Sequence, residues 1–387
     1  MNMKKFFVSL LVITLTFASL MLLVSCDQNE TQPAQNGGTQ ASEQPQTEQP
    51  QTEQQQPEQT LQTEEAQNNG AQETIVLYSN ALSDGRGDWI AEMALAELGI
   101  EVLQVDGGGV DIANRLVAER DNPQADVLFG FNPMLWWQLE HNDILEPYVP
   151  AWASEVPVGN HPEGLFHAVI LVGNMLIYDL NQIDQDEAPS DWIDLWQNPE
   201  FHGRYAVPDA LGGSTVQMVL SGIFNRYLDP DGFLGVSDEG WENIAAKFRY
   251  GIPTNQDMAA EIAGPSTAII SQMWSHGIPT REEQFGIDAG FARPDVGIPF
   301  SIEGVALVNG SSNPEAARRF IDWFGQSHIM HAFSAEFGFV PAHPDALDGL
   351  PPFNSVIAAL PHQQIDWNFI APRMGDWLEH ILLNYMQ

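Results

Sequence analysis

From residue 74 the chain alternates short apolar runs with helix-periodic ones three times before residue 142, and few architectures accommodate that alternation. Ile75–Tyr78 has the length of a strand. Asp88–Leu98 carries Trp89, Ile90, Met93, Ala94 and Leu98 at helical spacing, with Gly99 as its stop. Ile100–Val105 is a second strand and Gly107–Gly109 a turn. Asp111–Arg120 is a second helix bearing Ile112, Leu116 and Val117. Ala125–Phe129 is a third strand, and Asn132-Pro133 opens a helix through Trp136, Trp137 and Leu139. Strands separated by helices pair in parallel through right-handed crossovers, so the fold class is α/β. Ligands of such sheets sit beyond the carboxyl ends of the strands, here Ser79-Asn80 and Gly130–Asn132.

What precedes residue 74 is of another kind. Lys4 and Lys5 stand before an apolar run from Phe6 to Val24, a secretory-signal pattern that is also long enough to anchor. Leu23-Val24-Ser25-Cys26 resembles the lipobox of bacterial lipoproteins. That resemblance implies cleavage before Cys26, lipid attachment there, and a location at the extracytoplasmic face of the cell membrane. Cys26 is the chain's only cysteine, which excludes a disulfide scaffold and a multi-cysteine zinc site. Residues 27–73 hold nine acids, no base and repeated Gln, Thr and Pro. Such a segment cannot offset its chain entropy by burial and reads as a disordered tether. The formal net charge of −38 excludes nucleic acid as a partner and a basic patch docking on anionic lipid. From residue 74 on, 43 acids face 12 bases, of which only Lys247 is a lysine. So acidic a surface stays hydrated when salt screens it. It predicts a protein of a saline or alkaline exterior, whose stability would rise with salt rather than stay flat across molar NaCl.

The second half carries a family likeness. Asn313-Pro314-Glu315-Ala316-Ala317 opens a helix, with Asn as the expected cap, Pro in the first turn and Glu complementing the dipole. Phe320, Ile321, Trp323 and Phe324 continue it; Phe333, Phe337-Gly338 and Val340-Pro341-Ala342 follow. Together with Pro299–Ala306, Tyr78-Ser79 and Ala125–Val127, this order resembles the extracellular solute-binding proteins of ABC importers. The branch it is most similar to contains ferric-ion- and phosphorylated-solute-binding proteins. The resemblance implies a type II periplasmic-binding-protein fold, two α/β lobes with the ligand cleft between them and hinge closure on the ligand. One lobe is expected at 74–170 plus 300–387 and the other at 171–299, crossed by Val169–Tyr178 and Val296–Val308. It further implies a receptor rather than an enzyme, no cofactor, a small-molecule or ion ligand, and as partners an ABC permease with its ATPase.

Four stretches are candidates for holding a ligand. Ser79 and Asn80 precede Ser83-Asp84-Gly85-Arg86-Gly87, where glycines let backbone N–H groups approach an anion at a helix start. Arg86 adds a fork of donors or is an exposed residue of a capped turn, and Arg281 is a second arginine between which and Arg86 the sequence does not choose. Asn132 lies at the end of the third strand. Gly212-Gly213-Ser214-Thr215 follows the Tyr205–Asp209 strand and precedes the apolar helix Val216–Phe224, so Gly213, Ser214 and Thr215 offer N–H and hydroxyl donors or a plain cap. Trp274, Ser275 and His276 follow a strand at Thr267–Ser271. Trp274 is a stacking wall or a core residue, and His276 a hydrogen-bond donor. Glu303, in a crossing segment, accepts from a ligand hydroxyl or ammonium, or holds the lobes in register.

Relatives that bind ferric ion carry an adjacent tyrosine pair where this chain has Met273 and Trp274. None of the seven tyrosines here is adjacent to another, and Fe(III) favours such hard anionic donors. The favoured solute is therefore a small organic anion, a phosphorylated sugar or a phosphonate. Ferric iron is the alternative cargo, and a secreted enzyme or sensor subunit is the reading of another class. His328 and His331 lack a carboxylate at zincin spacing, and no Walker A loop or Gly-x-Ser-x-Gly elbow is present.

Overall fold

The computed structural model describes residues 73–386; the expected signal peptide, Cys26 and nearly all of the tether lie outside them. Glu73, grouped with the tether from sequence, is the first residue of a strand. In chain order the elements are β1 (Glu73–Ser79), α1 (Arg86–Leu98), β2 (Ile100–Asp106), α2 (Gly109–Ala118), β3 (Val127–Gly130), α3 (Pro133–His141), β4 (Leu145–Glu146) and β5 (His167–Asp179). There follow α4 (Asp194–Gln197), β6 (Ala206–Pro208), α5 (Ser214–Phe224), β7 (Leu228–Phe233), α6 (Asp238–Tyr250), β8 (Ile252–Thr254), α7 (Met258–Ala263), β9 (Ile270–Trp274), α8 (Ile278–Phe285) and β10 (Ala289–Phe291). The chain ends with β11 (Phe300–Val308), α9 (Pro314–Phe324), α10 (Ser327–Phe337), β12 (Val340–Pro341), α11 (Pro352–Ala358), α12 (Trp367–Ile370) and α13 (Met374–Asn384). None of the described helices is long and apolar enough to cross a membrane.

The parallel pairing read from the alternation is present: β1 lies between β2 and β3, parallel to both. β11 then adds antiparallel to β3. The long strand β5 binds two sheets together. Its first half, through Gly173, pairs with β11, and β12 lies on the other side at Ile170 and Leu171. Its second half, from Asn174, pairs with β9 and β10. A bridge from Ile270 to Tyr205 leads on to the parallel pair β6 and β8. All thirteen residues of β5 are buried, as a strand covered on both faces must be. Ile298 donates its N–H to Pro361 O and accepts from Gln363 N–H, so the segment around His362 is a further one running alongside.

One apolar cluster runs from Ile75, Leu77 and Phe129 along β5 into Met273 and Ile278. A second gathers Phe224, Trp241 and Ile244 with Ile370, Met374, Trp377 and Ile381. This places the C-terminal helices against α5 and α6, whereas the sequence grouped all of 300–387 with the first lobe. The cause is concrete: the Trp377 ring lies 4.3 Å from that of Phe224, and its Nε1 donates to Leu234 O at 2.9 Å. A second local expectation also changes. Asn313 makes no side-chain cap on α9; its backbone N–H and its Nδ2 donate instead to the buried Asp126 carboxylate, at 3.0 and 3.2 Å.

Candidate functional site

The ends of β1 and β3 meet in a turn under strain. Gly130 has φ 98°, and a Cβ there would lie 2.5 Å from Asn80 Oδ1. Phe131 follows with φ 62°, unusual for an aromatic residue, and its N–H donates to Asn80 Oδ1 at 2.8 Å. The turn delivers Asn132 to the start of α3, where its Oδ1 accepts from Met134 and Leu135 N–H. Asn132 Nδ2 reaches across to Ser214 Oγ at 3.2 Å. Sequence candidates from the two sheets therefore touch here.

Their polar atoms are nevertheless largely committed to the fold. Ser79 is fully buried, and its Oγ accepts from Ala81 N–H at 2.9 Å. Ser275 is fully buried too, and its Oγ accepts from Gly173 N–H at 3.1 Å, so its expected cleft role gives way to pinning β5. The start of α5 differs. Gly213 occupies the cap position and no side chain caps the helix; Gly212, Gly213 and Ser214 are exposed and Thr215 half-buried. The plain Ser/Thr cap weighed from sequence is absent, and the helix presents free N–H groups.

A pocket of ≈ 340 Å³ brings together Arg86, Trp274, His276 and Arg281. Asp84, Arg86, Phe337 and Phe339 line it on the first sheet's side, and Trp274, His276, Gly277, Thr280 and Arg281 on the second's. Arg86 opens α1. Its Nε donates to Ser83 O at 2.6 Å, its Nη2 to Ser83 Oγ and Asp84 Oδ2, and its guanidinium lies 5.6 Å from the Phe339 ring. Arg281 stands over Trp274 at 5.0 Å and is held by Asp257 at 3.2 Å. A Cβ at Gly277 would collide with the Trp274 indole, so that glycine permits the close packing of the ring. Trp274 is half-buried, neither a core residue nor a free wall.

His276 lies 4.4 Å from the Phe339 ring. Burial first, and then Arg86 and Arg281, push its imidazole down to about 3, so it is neutral. Glu303, on β11, does not line the pocket; burial pushes its carboxyl up to about 7 and Arg86 pulls the other way. Glu303 forms no ion pair among the described residues, against its expected register role. Sequence reasoning passed over Phe339 and Thr280. The signal for Phe339 was its place directly after the Gly338 helix stop, where an aromatic must turn inward or line a cavity.

Two other cavities, of ≈ 360 and ≈ 440 Å³, are lined respectively around Trp136, Trp137 and Trp367, and around Leu171, Pro341 and Leu360. Neither contains a residue selected from sequence. Among the described residues, Glu155, His343 and Asp345 are close enough to share a metal ion, but both ring nitrogens of His343 are engaged. Nε2 meets Glu155 at 3.0 Å, and Nδ1 accepts from Asp345 N–H. No tyrosine lines the pocket, and Met273 is wholly buried.

Residues 122–371 match the profile of a family described as bacterial extracellular solute-binding protein. The chain is 35% identical over 318 residues to a Sinorhizobium fredii protein named as a probable ABC transporter periplasmic-binding protein, covering 81% of this chain and 87% of that one. Over 155 residues it is 30% identical to a Salmonella typhimurium periplasmic protein named for 2-aminoethylphosphonate binding, 38% and 44% of the respective lengths. A Trichodesmium protein solved with iron and citrate ligands superposes with a TM-score of 0.66 at 16% identity, over 81% of this chain and 99% of that one. The ferric binding protein of Campylobacter jejuni does so with 0.66 at 17%, over 80% and 99%. At such identities the superpositions speak for the two-lobed fold alone.

Proposed function

The chain belongs to the bacterial extracellular solute-binding proteins and is the substrate-binding component of an ABC transporter, and we propose that its solute is a small organic anion, a phosphonate or phosphate ester. The observation that carries this reading is the pairing of Arg86 and Arg281, from opposite sides, around one pocket in an otherwise strongly acidic body. Local potential in a cleft can oppose the net charge of the whole molecule. Guanidinium forks match tetrahedral oxyanions. Trp274 and Phe339 supply apolar walls for the organic part.

Members of this family work outside the cytoplasm and hand solute to a membrane permease. The finer arrangement is part of the proposal: lipid attachment at Cys26, a tether over 27–72, and a hinge in β5 and its neighbours that closes the lobes on the ligand. Iron, the cargo named for several structural neighbours, finds no tyrosine among the residues that line this pocket, and Tyr78, Tyr148 and Tyr205 donate elsewhere, to Glu119, Asp322 and Lys247 O. An enzymatic or signalling role has no support among the relatives named above. Mass spectrometry of ligand released from denatured protein, with a metal assay alongside, tests the reading. A phosphorus-containing anion is expected; stoichiometric iron with a coloured phenolate band would overturn it.

A further inference from the structure

Pro133, Trp136, Trp137 and Glu140 follow one another at helical spacing along α3, so one face of that helix brings two indoles and a carboxylate to the ≈ 360 Å³ cavity. Phe166 and Trp367, the latter on α12, complete its aromatic lining. The cavity shares no lining residue with the arginine pocket. Its walls are fixed. Trp136 stacks on Phe166 at 4.7 Å, and its Nε1 donates to Ile302 O at 3.3 Å. Gly159, with φ 88°, lets the 159–162 loop lie against β11, because a Cβ there would come 2.6 Å from Ile302 Cγ2. Asn160 pins the same loop: its Nδ2 donates to Ala153 O and Val156 O, and its Oδ1 accepts from Ala168 N–H.

The hydrogen bonds and charges decide what such a cavity can hold. Trp136 and Asn160 have spent their polar atoms on the fold, and Trp137 Nε1 is enclosed beyond a ligand's reach. A sugar, which needs a bond for each hydroxyl it buries, finds few free partners here. Neither lysine nor arginine lines the cavity. His161 Nδ1 accepts from Glu163 N–H, which puts the ring proton on Nε2 and leaves the imidazole uncharged; Nε2 faces Glu140 Oε1 at 3.4 Å. Among the described residues, the Glu140 carboxylate therefore has no cation to balance it. A ligand that needs no hydrogen bond but carries a positive charge suits both conditions, since indole rings attract it and the carboxylate offsets its charge.

We propose that this cavity is a second binding site, for a small quaternary ammonium cation, with Trp136, Trp137 and Trp367 as its aromatic walls and Glu140 as its counter-ion. The site is independent of the solute proposed for the arginine pocket.

Calorimetry on the full-length protein at pH 8 and low salt tests it with choline and with the uncharged carbon isostere of choline, 3,3-dimethyl-1-butanol. Wild type should bind choline at least tenfold more tightly than the isostere. Glu140→Gln, which keeps the shape and removes the charge, should weaken choline at least fivefold and leave the isostere within threefold. Trp367→Ala, at a half-buried position, should weaken choline at least tenfold. Circular dichroism confirms that both variants fold. No saturable binding of choline, equal affinity for the two probes, an equal loss of both in Glu140→Gln, or a folded variant that binds choline like wild type overturns the proposal. The anion reading stands or falls separately, because no phosphonate enters these titrations.

Discussion

The turn at Ser79–Asn132 and the pocket at Arg86–Arg281 use similar polar residues and account for them differently. In the turn, Ser79 Oγ, Asn80 Oδ1 and Asn132 Oδ1 each accept a backbone N–H. By contrast His276 Nδ1, in the pocket wall, and Glu303 Oε2, within the electrostatic reach of Arg86, have no hydrogen-bond partner among the described residues. A polar group whose bonds are made inside the protein holds the backbone; one left open can exchange its deficit for bonds to a ligand. Serine or asparagine at a strand end does not by itself mark a binding residue. The hydrogen-bond account does.

The sharpest way to break this contrast is to remove both cations. Arg86→Met with Arg281→Met should lower phosphonate affinity at least a hundredfold by calorimetry, about tenfold for each guanidinium removed from the anion. A double variant within threefold of wild type would remove the anion from this pocket. Trp274→Ala comes next, with at least a tenfold loss and an unchanged unfolding midpoint; unchanged affinity would return Trp274 to a packing role. On the other side of the comparison, Ser275→Ala should leave affinity within threefold. It should lower stability by about 1 kcal/mol in denaturant titration, because Gly173 N–H loses its acceptor. A large affinity loss without destabilisation would reverse the assignment of Ser275.

The α/β alternation was legible because each element kept one hydrophobic period, so β1 through α3 could be placed from spacing alone. The position of the C-terminal helix was not. An amphipathic helix shows that it has a buried face but not which core covers it, and Trp377 went to Phe224 rather than to the first sheet. The same limit applies at the site. Arg86, Trp274 and His276 could be selected because they sit at a helix start and at or just after the end of a strand. Arg281 lies in α8, where an arginine is ordinarily a solvated surface charge, and only the fold turns it over Trp274. Ser275 stands between two residues of the pocket, and nothing in the sequence says that its hydroxyl points inward.

The smallest expected effect tests whether Glu303 is open in the unliganded protein. Its carboxyl titrates near 7 in the folded state against an ordinary 4.5. Between those values the folded protein keeps a proton that the unfolded chain has released. Stability from this group is therefore present at low pH and lost as pH rises through 7. Glutamine has no proton to lose, so Glu303→Gln should gain on wild type in going from pH 5 to pH 8. The relative shift in unfolding midpoint should be small, about 1–2 °C for a chain of this size, because solvent reaches part of Glu303 and Arg86 offsets part of the charge. Differential scanning calorimetry without ligand at the two pH values measures it. No relative shift would mean that Glu303 finds a partner in solution, and the open half of the comparison would lose its carboxylate.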